Sequence, residues 1–322
     1  MQLPGEFGIR RGWPSAVAAL ALLAVVQPAA AAPIALSSLI RNGAAELVSP
    51  NLLRLTPNFD TNVGGDDPPA GSAWTTSRFD VADSWAASFN FHMWAPNLGA
   101  QLDNDGSAGD GIAFVIQNDP FSGTDALGRG AGGMGFLGIY NSVAVMFDTY
   151  KNNAAYGDPN GNYIAVNTRG TDFNVPHHFC TDGELTTDPA LIDLPGVRCT
   201  ADPGLGMTTR VPPLADELHN GILVAAPVYS ALITYVPGTM NVYLDSTLVL
   251  SIALNLQSTL RLENGTDAFL GFTAGNRFSY QNHDILDFSY EVPQAAAVPE
   301  PGTLALVAIG GLGLASRRRR RT

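Results

Sequence analysis

The stretch Val143-Ala-Val-Met-Phe-Asp148-Thr-Tyr-Lys-Asn152 decides the fold. Its first five residues are apolar without a break, and the run stops abruptly at Asp148. An apolar run this short, bounded by turn-forming residues, reads as a strand; a helix needs more length to bury a stripe. Similar period-two or continuous segments occur at Trp85 to Trp94, Gly111 to Gln117, Tyr163 to Asn167, Val228 to Tyr235, Met240 to Leu244, Leu248 to Leu254, Ala268 to Thr273 and His283 to Glu291. Tyr235-Val236-Pro237-Gly238-Thr239-Met240 joins two of them as a hairpin. No helical period persists over 15 residues outside the termini. The chain is therefore predicted to be all-β, with its antiparallel strands paired into two packed sheets.

Composition agrees with a chain that buries a real core. Of 322 residues, 46% are hydrophobic and only 14% charged, with 34 Gly and 22 Pro to supply turns. These values exclude a disordered chain and a coiled coil. Lys and Arg number 17 against 29 Asp and Glu, a net charge of -12. That excess of acid excludes a nucleic-acid surface, which needs clustered cations.

The two ends read as addresses. Arg10 and Arg11, the apolar run from Ala16 to Val26, and the alanines up to Ala32 have the order of a secretory signal peptide over residues 1–32. At the other end, residues 294–322 form a linker and tail: Val298-Pro299-Glu300-Pro301, an apolar Gly-rich segment over 302–316, and an arginine cluster over 317–321. This tail resembles the PEP-CTERM sorting signal of Gram-negative bacteria. The resemblance implies processing by an exosortase-type enzyme, transient insertion in the inner membrane, and delivery to the cell envelope, outer surface or exopolysaccharide matrix. Setting both ends aside removes seven arginines and two glutamates, which leaves 10 basic against 27 acidic residues, a core of -17. In an oxidising compartment, Cys180 and Cys199 are expected to form one disulfide closing a loop over 176–212. A zinc pair with His177 and His178 is the alternative.

Chemistry concentrates between Asp103 and Asn162. The side chains of Asp148, Asn152 and Asp158, with the carbonyl of Tyr150, offer an all-oxygen set at the end of a strand and a returning loop. Such a set suits Ca²⁺, which takes about 6–8 oxygens. Asn and Asp serving only as turn formers is the plainer reading of the same spacing.

Several spaced motifs decide between the two. Gly109-Asp110-Gly-Ile-Ala-Phe-Val-Ile-Gln, Gly135-Phe-Leu-Gly-Ile-Tyr-Asn141, Val143 to Asn152, Gly157-Asp158-Pro, Leu270-Gly-Phe-Thr-Ala-Gly275 and His283-Asp-Ile-Leu-Asp-Phe-Ser289 resemble the legume-type (L-type) lectins, in that family's order. The resemblance implies a concanavalin-like jelly-roll sandwich over residues 33–293 and a calcium loop supporting a shallow sugar pocket. It assigns the calcium ligands to Asp148, the Tyr150 carbonyl, Asn152 and Asp158. Sugar contacts fall to Asp110, Gly135 through its N–H, and Asn152, with Asn276 and Arg277 on the specificity loop Gly275-Asn276-Arg277-Phe278 and a stacking aromatic near Tyr150. Family members carry a cis peptide before the sugar-binding Asp, here Gly109–Asp110, and a homodimer made by extending a sheet is a further expectation.

Departures from the pattern are equally informative. Plant members hold a transition metal beside the calcium with a Glu and a His; the matching positions here are Met146 and Tyr163, so calcium alone is expected. Related jelly rolls that hydrolyse glucans carry Glu-x-Asp-x-x-Glu on one strand, and Met146 again breaks that pattern. No Gly-x-Ser-x-Gly elbow is present. The expected function is calcium-dependent glycan or exopolysaccharide binding without catalysis, with a non-binding matrix protein as the rival. His92 and His283 are expected to be packed side chains. The run Gly128 to Gly135 lacks the Lys-Ser/Thr of a phosphate loop.

Overall fold

A computed structural model of the chain describes residues 32–59, 69–95, 102–103, 106–152, 157–176, 204–208, 211–220 and 222–292. All belong to one compact unit, Ala30–Pro293. Apart from Ala32, the expected signal peptide and sorting tail lie outside the described residues, as do Cys180, Cys199, His177 and His178.

Eighteen strands run along the described residues. The first six are β1 (Ala32–Pro33), β2 (Ile40–Gly43), β3 (Glu46–Ser49), β4 (Leu52–Thr56), β5 (Ala70–Trp74) and β6 (Phe79–Asp80). Then come β7 (Trp85–Trp94), β8 (Gly111–Gln117), β9 (Ser142–Asp148), β10 (Tyr163–Thr168), β11 (Gly204–Met207), β12 (Glu217–His219) and β13 (Ile222–Val224). The last five are β14 (Tyr229–Val236), β15 (Gly238–Leu244), β16 (Thr247–Leu254), β17 (Asp267–Gly275) and β18 (Asn282–Glu291). One sheet has the order β16-β15-β14-β7-β18-β4-β3, with β1 also on β18; the other runs β11-β10-β9-β8-β17-β5-β2, with β6 also on β17. Strands β12 and β13 make a separate hairpin. The fold is an all-β, concanavalin-like jelly-roll sandwich of antiparallel sheets.

Aromatic rings fill the space between the sheets. Phe89 and Phe91 on β7 meet Phe272 at 4.9 Å and Phe147 at 5.0 Å between ring centroids, and Phe288 packs on Phe272 at 5.0 Å. Strand β7 alternates buried and half-buried residues, as a strand with one wetter face should. Strands β8 and β9 are buried at every position. Their second face is covered by the segment between them, whose Met134, Phe136 and Ile139 join Ala144 and Met146 in a second apolar cluster. This cover is why Val143 to Phe147 reads as unbroken apolar sequence. It also brings Gly135 against β17: the residue has φ 72°, and a Cβ there would lie 2.6 Å from the Ala274 carbonyl oxygen. Only glycine allows that approach.

The hairpin expected at Tyr235 to Met240 is present, with Val236 opposite Thr239. Beyond the expected strands, the chain forms β1 to β6 and β11 to β13, which are short or lack a clean alternation.

Candidate functional site

Sheet register assembles the site. Asp148, the last residue of β9, pairs with Gly111 on one side and with Tyr163 on the other. Gly111 pairs in turn with Gly275, the last residue of β17. Four strand ends thus lie in one row at one end of the second sheet. The Asp110 N–H donates to the Gly275 carbonyl at 3.0 Å, and the Asp110 carbonyl accepts from the Thr149 N–H at 3.0 Å. Asp110 is therefore clasped from both sides, and the Gly109–Asp110 peptide is cis, the state the resemblance implied.

The loop leaving β9 gathers oxygens. Asp148 Oδ1 accepts from the Tyr150 N–H at 2.9 Å, and Asp158 Oδ2 accepts from the Asn152 N–H at 2.8 Å. One polar atom of the Asn152 side-chain amide lies 3.2 Å from the Tyr150 carbonyl oxygen and 3.0 Å from Asp158 Oδ2. As oxygen it completes the acceptor set; with the amide turned over, the nitrogen in that place donates to both. Neighbouring oxygens around an ion held at about 2.4 Å are spaced by about 2.8–3.4 Å, so the donor set fits Ca²⁺ in kind and in spacing. Among the described residues no group of three or more His, Cys, Asp and Glu converges; the set leans on two carboxylates and neutral oxygens.

Electrostatics point the same way. Burial pushes the Asp148 carboxyl well above the usual carboxylate range, and the nearby Asp158 adds to it against the Tyr150 N–H. Asp158 is raised to about 6, chiefly by burial, with the Tyr163 hydroxyl and the Asn152 N–H opposing. Asp110, 4% exposed, is raised to about 8, again by burial first, with an Asn152 hydrogen bond opposing, Asp158 adding and Arg277 opposing. Three carboxyl groups whose ionisation burial resists make a place where the charge of a divalent cation would favour the ionised forms.

The residues expected to touch sugar are brought to this end of the sheet, with different roles. Asn152 hydrogen-bonds the Asp110 carboxyl, and the charge of the half-buried Arg277 acts on it. The Tyr150 side chain packs over Gly109, where an added Cβ would lie 2.6 Å from the Tyr150 Cβ and 3.0 Å from Cγ of its ring, so this ring stands beside the Gly109–Asp110 peptide. Asn276 corrects the expectation that it faces a ligand: it is buried, and its amide donates to the Pro57 carbonyl at 2.7 Å and the Gln281 carbonyl at 3.1 Å. It anchors the specificity loop from inside. The Gly135 N–H expected to meet a sugar donates instead to the Arg129 carbonyl at 2.8 Å, so Gly135 serves through its backbone shape.

Sequence reasoning missed the buried polar support. Gln281 donates from Nε2 to Thr149 Oγ1 at 2.8 Å and to His283 Nε2 at 3.1 Å. Since His283 Nε2 accepts, Nδ1 carries the proton and donates to Thr56 Oγ1 at 2.6 Å. Burial lowers the His283 pKa to about 3, so the ring is neutral. This chain ties β18 and the specificity loop to the exit of β9. Asp103 does similar work outside, accepting from the Ser107 N–H at 3.1 Å and the Lys151 N–H at 3.2 Å. A Gln two residues before a His gives no signal without the fold.

Comparison with known proteins places the chain. A seed lectin beta chain from Spatholobus parviflorus is 32% identical over 132 residues, covering 38% of this chain and 51% of that one. The chain thus spans about half the length of that curated relative. Among solved structures, the VIP36 exoplasmic/lumenal domain in a Ca2+/Man2-bound form superposes with a TM-score of 0.51 at 17% identity, over 82% of this chain and 84% of that one. Its Ca2+-bound form gives 0.51 at 16% identity, over 81% and 86%. At such identities these structures speak for the fold. The legume lectin domain model matches residues 35–304 and the PEP-CTERM protein-sorting motif matches residues 297–321, and the chain therefore belongs to the legume lectin domain family and carries a PEP-CTERM sorting signal.

Proposed function

We propose that this chain is an exported lectin that binds glycan or exopolysaccharide through a calcium-ordered pocket and does not turn its ligand over. The observation that carries the reading is the convergence of Asp110, Asn152 and Asp158 on one another at the end of β8 and β9, beside the Tyr150 ring. Asp148, the Tyr150 carbonyl, Asn152 and Asp158 would hold the ion. Bound calcium supplies two positive charges beside three buried carboxyl groups and so favours their ionised forms. The chain's own residues do the rest. Asp110, once ionised, accepts from adjacent sugar hydroxyls, Asn152 contributes its amide, Arg277 donates, and the Tyr150 ring covers an apolar sugar face.

Fixing these groups in advance matters because sugar hydroxyls already bond well to water, and only an ordered pocket gains by replacing it. Catalysis is not part of the reading: a retaining or inverting pair of carboxyl groups must flank the scissile bond, and the strand position that would carry one holds Met146, buried in the second apolar cluster. The PEP-CTERM motif supports delivery to the cell envelope or the surrounding matrix through an exosortase-type enzyme.

A glycan array run on the purified protein with calcium and again with chelator tests this. Binding to a defined set of glycans that vanishes with chelator is expected; equal binding in both conditions would sink it. The second reading, a matrix protein that keeps the fold without binding sugar, draws on the inward-turned Asn276 and the occupied Gly135 N–H. An array with no calcium-dependent signal, on protein that still melts cooperatively, would favour it.

A further inference from the structure

Each carboxylate of the Asp148/Asp158 pair faces two ways. Asp148 Oδ1 and Asp158 Oδ2 look toward the loop, where they accept from the N–H groups of Tyr150 and Asn152. Their other oxygens look toward β10, where the Tyr163 hydroxyl lies 2.6 Å from Asp158 Oδ1 and 3.2 Å from Asp148 Oδ2. Tyr163 is wholly buried, and on the same face Met146 is taken up in the apolar cluster with Trp74 and Met134. One hydroxyl thus bridges the two carboxylates from this side.

We propose that Tyr163 is a positioning residue that stands in for a second cation. Its single proton is shared between the rear oxygens of Asp148 and Asp158 and holds both carboxylates at the separation one calcium ion requires. A neutral hydroxyl does this without spending the carboxylates' charge on a second ion, so their full charge is left for the ion in front. The side chain is fixed by the pairing of Tyr163 with Asp148 at the start of β10, so the geometry is built before any ion arrives. The inference rests on the calcium reading above and adds that the site takes one divalent ion, with Tyr163 setting its affinity.

Outer hydrogen-bond partners of metal ligands are typically worth about 10–100-fold in metal affinity. In Tyr163→Phe, calcium affinity measured by isothermal titration calorimetry should fall by about that factor. The melting temperature in chelator should stay within a few degrees of the parent, since the ring is kept. A merely structural role would do the reverse: lower the chelated melting temperature and leave calcium affinity alone. The double variant Met146→Glu/Tyr163→His returns two metal-ligating groups to the rear face, and it should bind Mn²⁺ with an electron paramagnetic resonance signal of protein-bound manganese that the parent lacks. Stoichiometry of the unmodified full chain needs no variant: one Ca²⁺ per chain in the presence of excess Mn²⁺ is expected, and two bound cations overturn the proposal. If the parent binds no calcium, the calcium reading fails and this inference with it. One bound calcium with equal affinity in Tyr163→Phe overturns this inference alone.

Discussion

A carboxyl group raised to about 8 is mostly protonated at neutral pH, and in that form Asp110 offers a ligand one donor where two acceptor oxygens are needed. The causes of the shift are burial first and then the charge of Asp158, which Asn152 and Arg277 only partly offset. Asp110 itself is held by backbone bonds to Gly275 and Thr149, so its place does not depend on its charge. Asp110→Asn should therefore keep the fold and hold calcium affinity within a few-fold, while removing the charged acceptor. A hydrogen bond to a charged group contributes about 1.5–3 kcal/mol, so glycan binding should weaken by about 10–150-fold. Titration calorimetry with calcium and with an array-selected glycan separates the two effects; an equal loss in both would mean that Asp110 acts through the metal loop. At this scale the sequence singled out Asp110 and Asp148 by residue type and position, and the fold brings them to one end of the sheet. The sequence was silent on direction: whether Asn276 points outward or inward depends on the Pro57 and Gln281 carbonyls, which are distant in the chain or engaged only through the fold.

Among the elements, β9 and the loop it feeds were the most legible, because a run covered on both faces has a signature that survives without neighbours. The short strands β2 to β6 were not, since β2 and β3 are largely exposed or half-exposed and owe their pairing to partners rather than to pattern. The loop after β9 has a pH behaviour that follows from its carboxyl groups. Asp158 and Asp110 have folded pKa values of about 6 and about 8, above the ordinary 3.8, and Asp148 is raised as well. In the chelated protein the folded state therefore binds more protons than the unfolded one across this window, and its stability falls as pH rises from about 4 to about 8. Calcium removes that penalty by pairing with the ionised forms, and it must displace protons to bind at the acid end. At a free calcium of about 100 Kd the gain is about 2.7 kcal/mol, which for a domain of this size is about 5–10 °C in Tm. Differential scanning calorimetry should show that gain at pH 8 and a much smaller one at pH 5 with the same added calcium. A gain independent of pH would mean that these carboxyl groups do not hold the ion.

Taken whole, the molecule separates its charge from its site. With both terminal segments set aside, the working domain carries 10 basic against 27 acidic residues, a balance of -17. In the proposed reading Asp148 and Asp158 hold the cation and Asp110 meets the ligand; the remainder leave a net negative field around a pocket whose nearby cations are Arg277 and Lys151. The field reaches about 30 Å at 0.01 M salt but only about 8 Å at 0.15 M. A neutral glycan does not feel it, whereas a polysaccharide bearing uronate groups is repelled on approach and gains from Arg277 and Lys151 once it has docked. The expected result is a difference in salt response between two ligands that share the same terminal sugar. Affinity for the neutral polymer should be flat between 0.01 and 0.15 M salt, and affinity for the anionic one should rise, mostly through a faster association rate, because long-range repulsion acts on encounter rather than on the docked contacts. Surface plasmon resonance on immobilised polymers reads both rates directly. An anionic polymer that binds more tightly at low salt than at high would show that a basic surface beyond Arg277 and Lys151 governs recognition, and would move the ligand-binding face away from the end of β8 and β9.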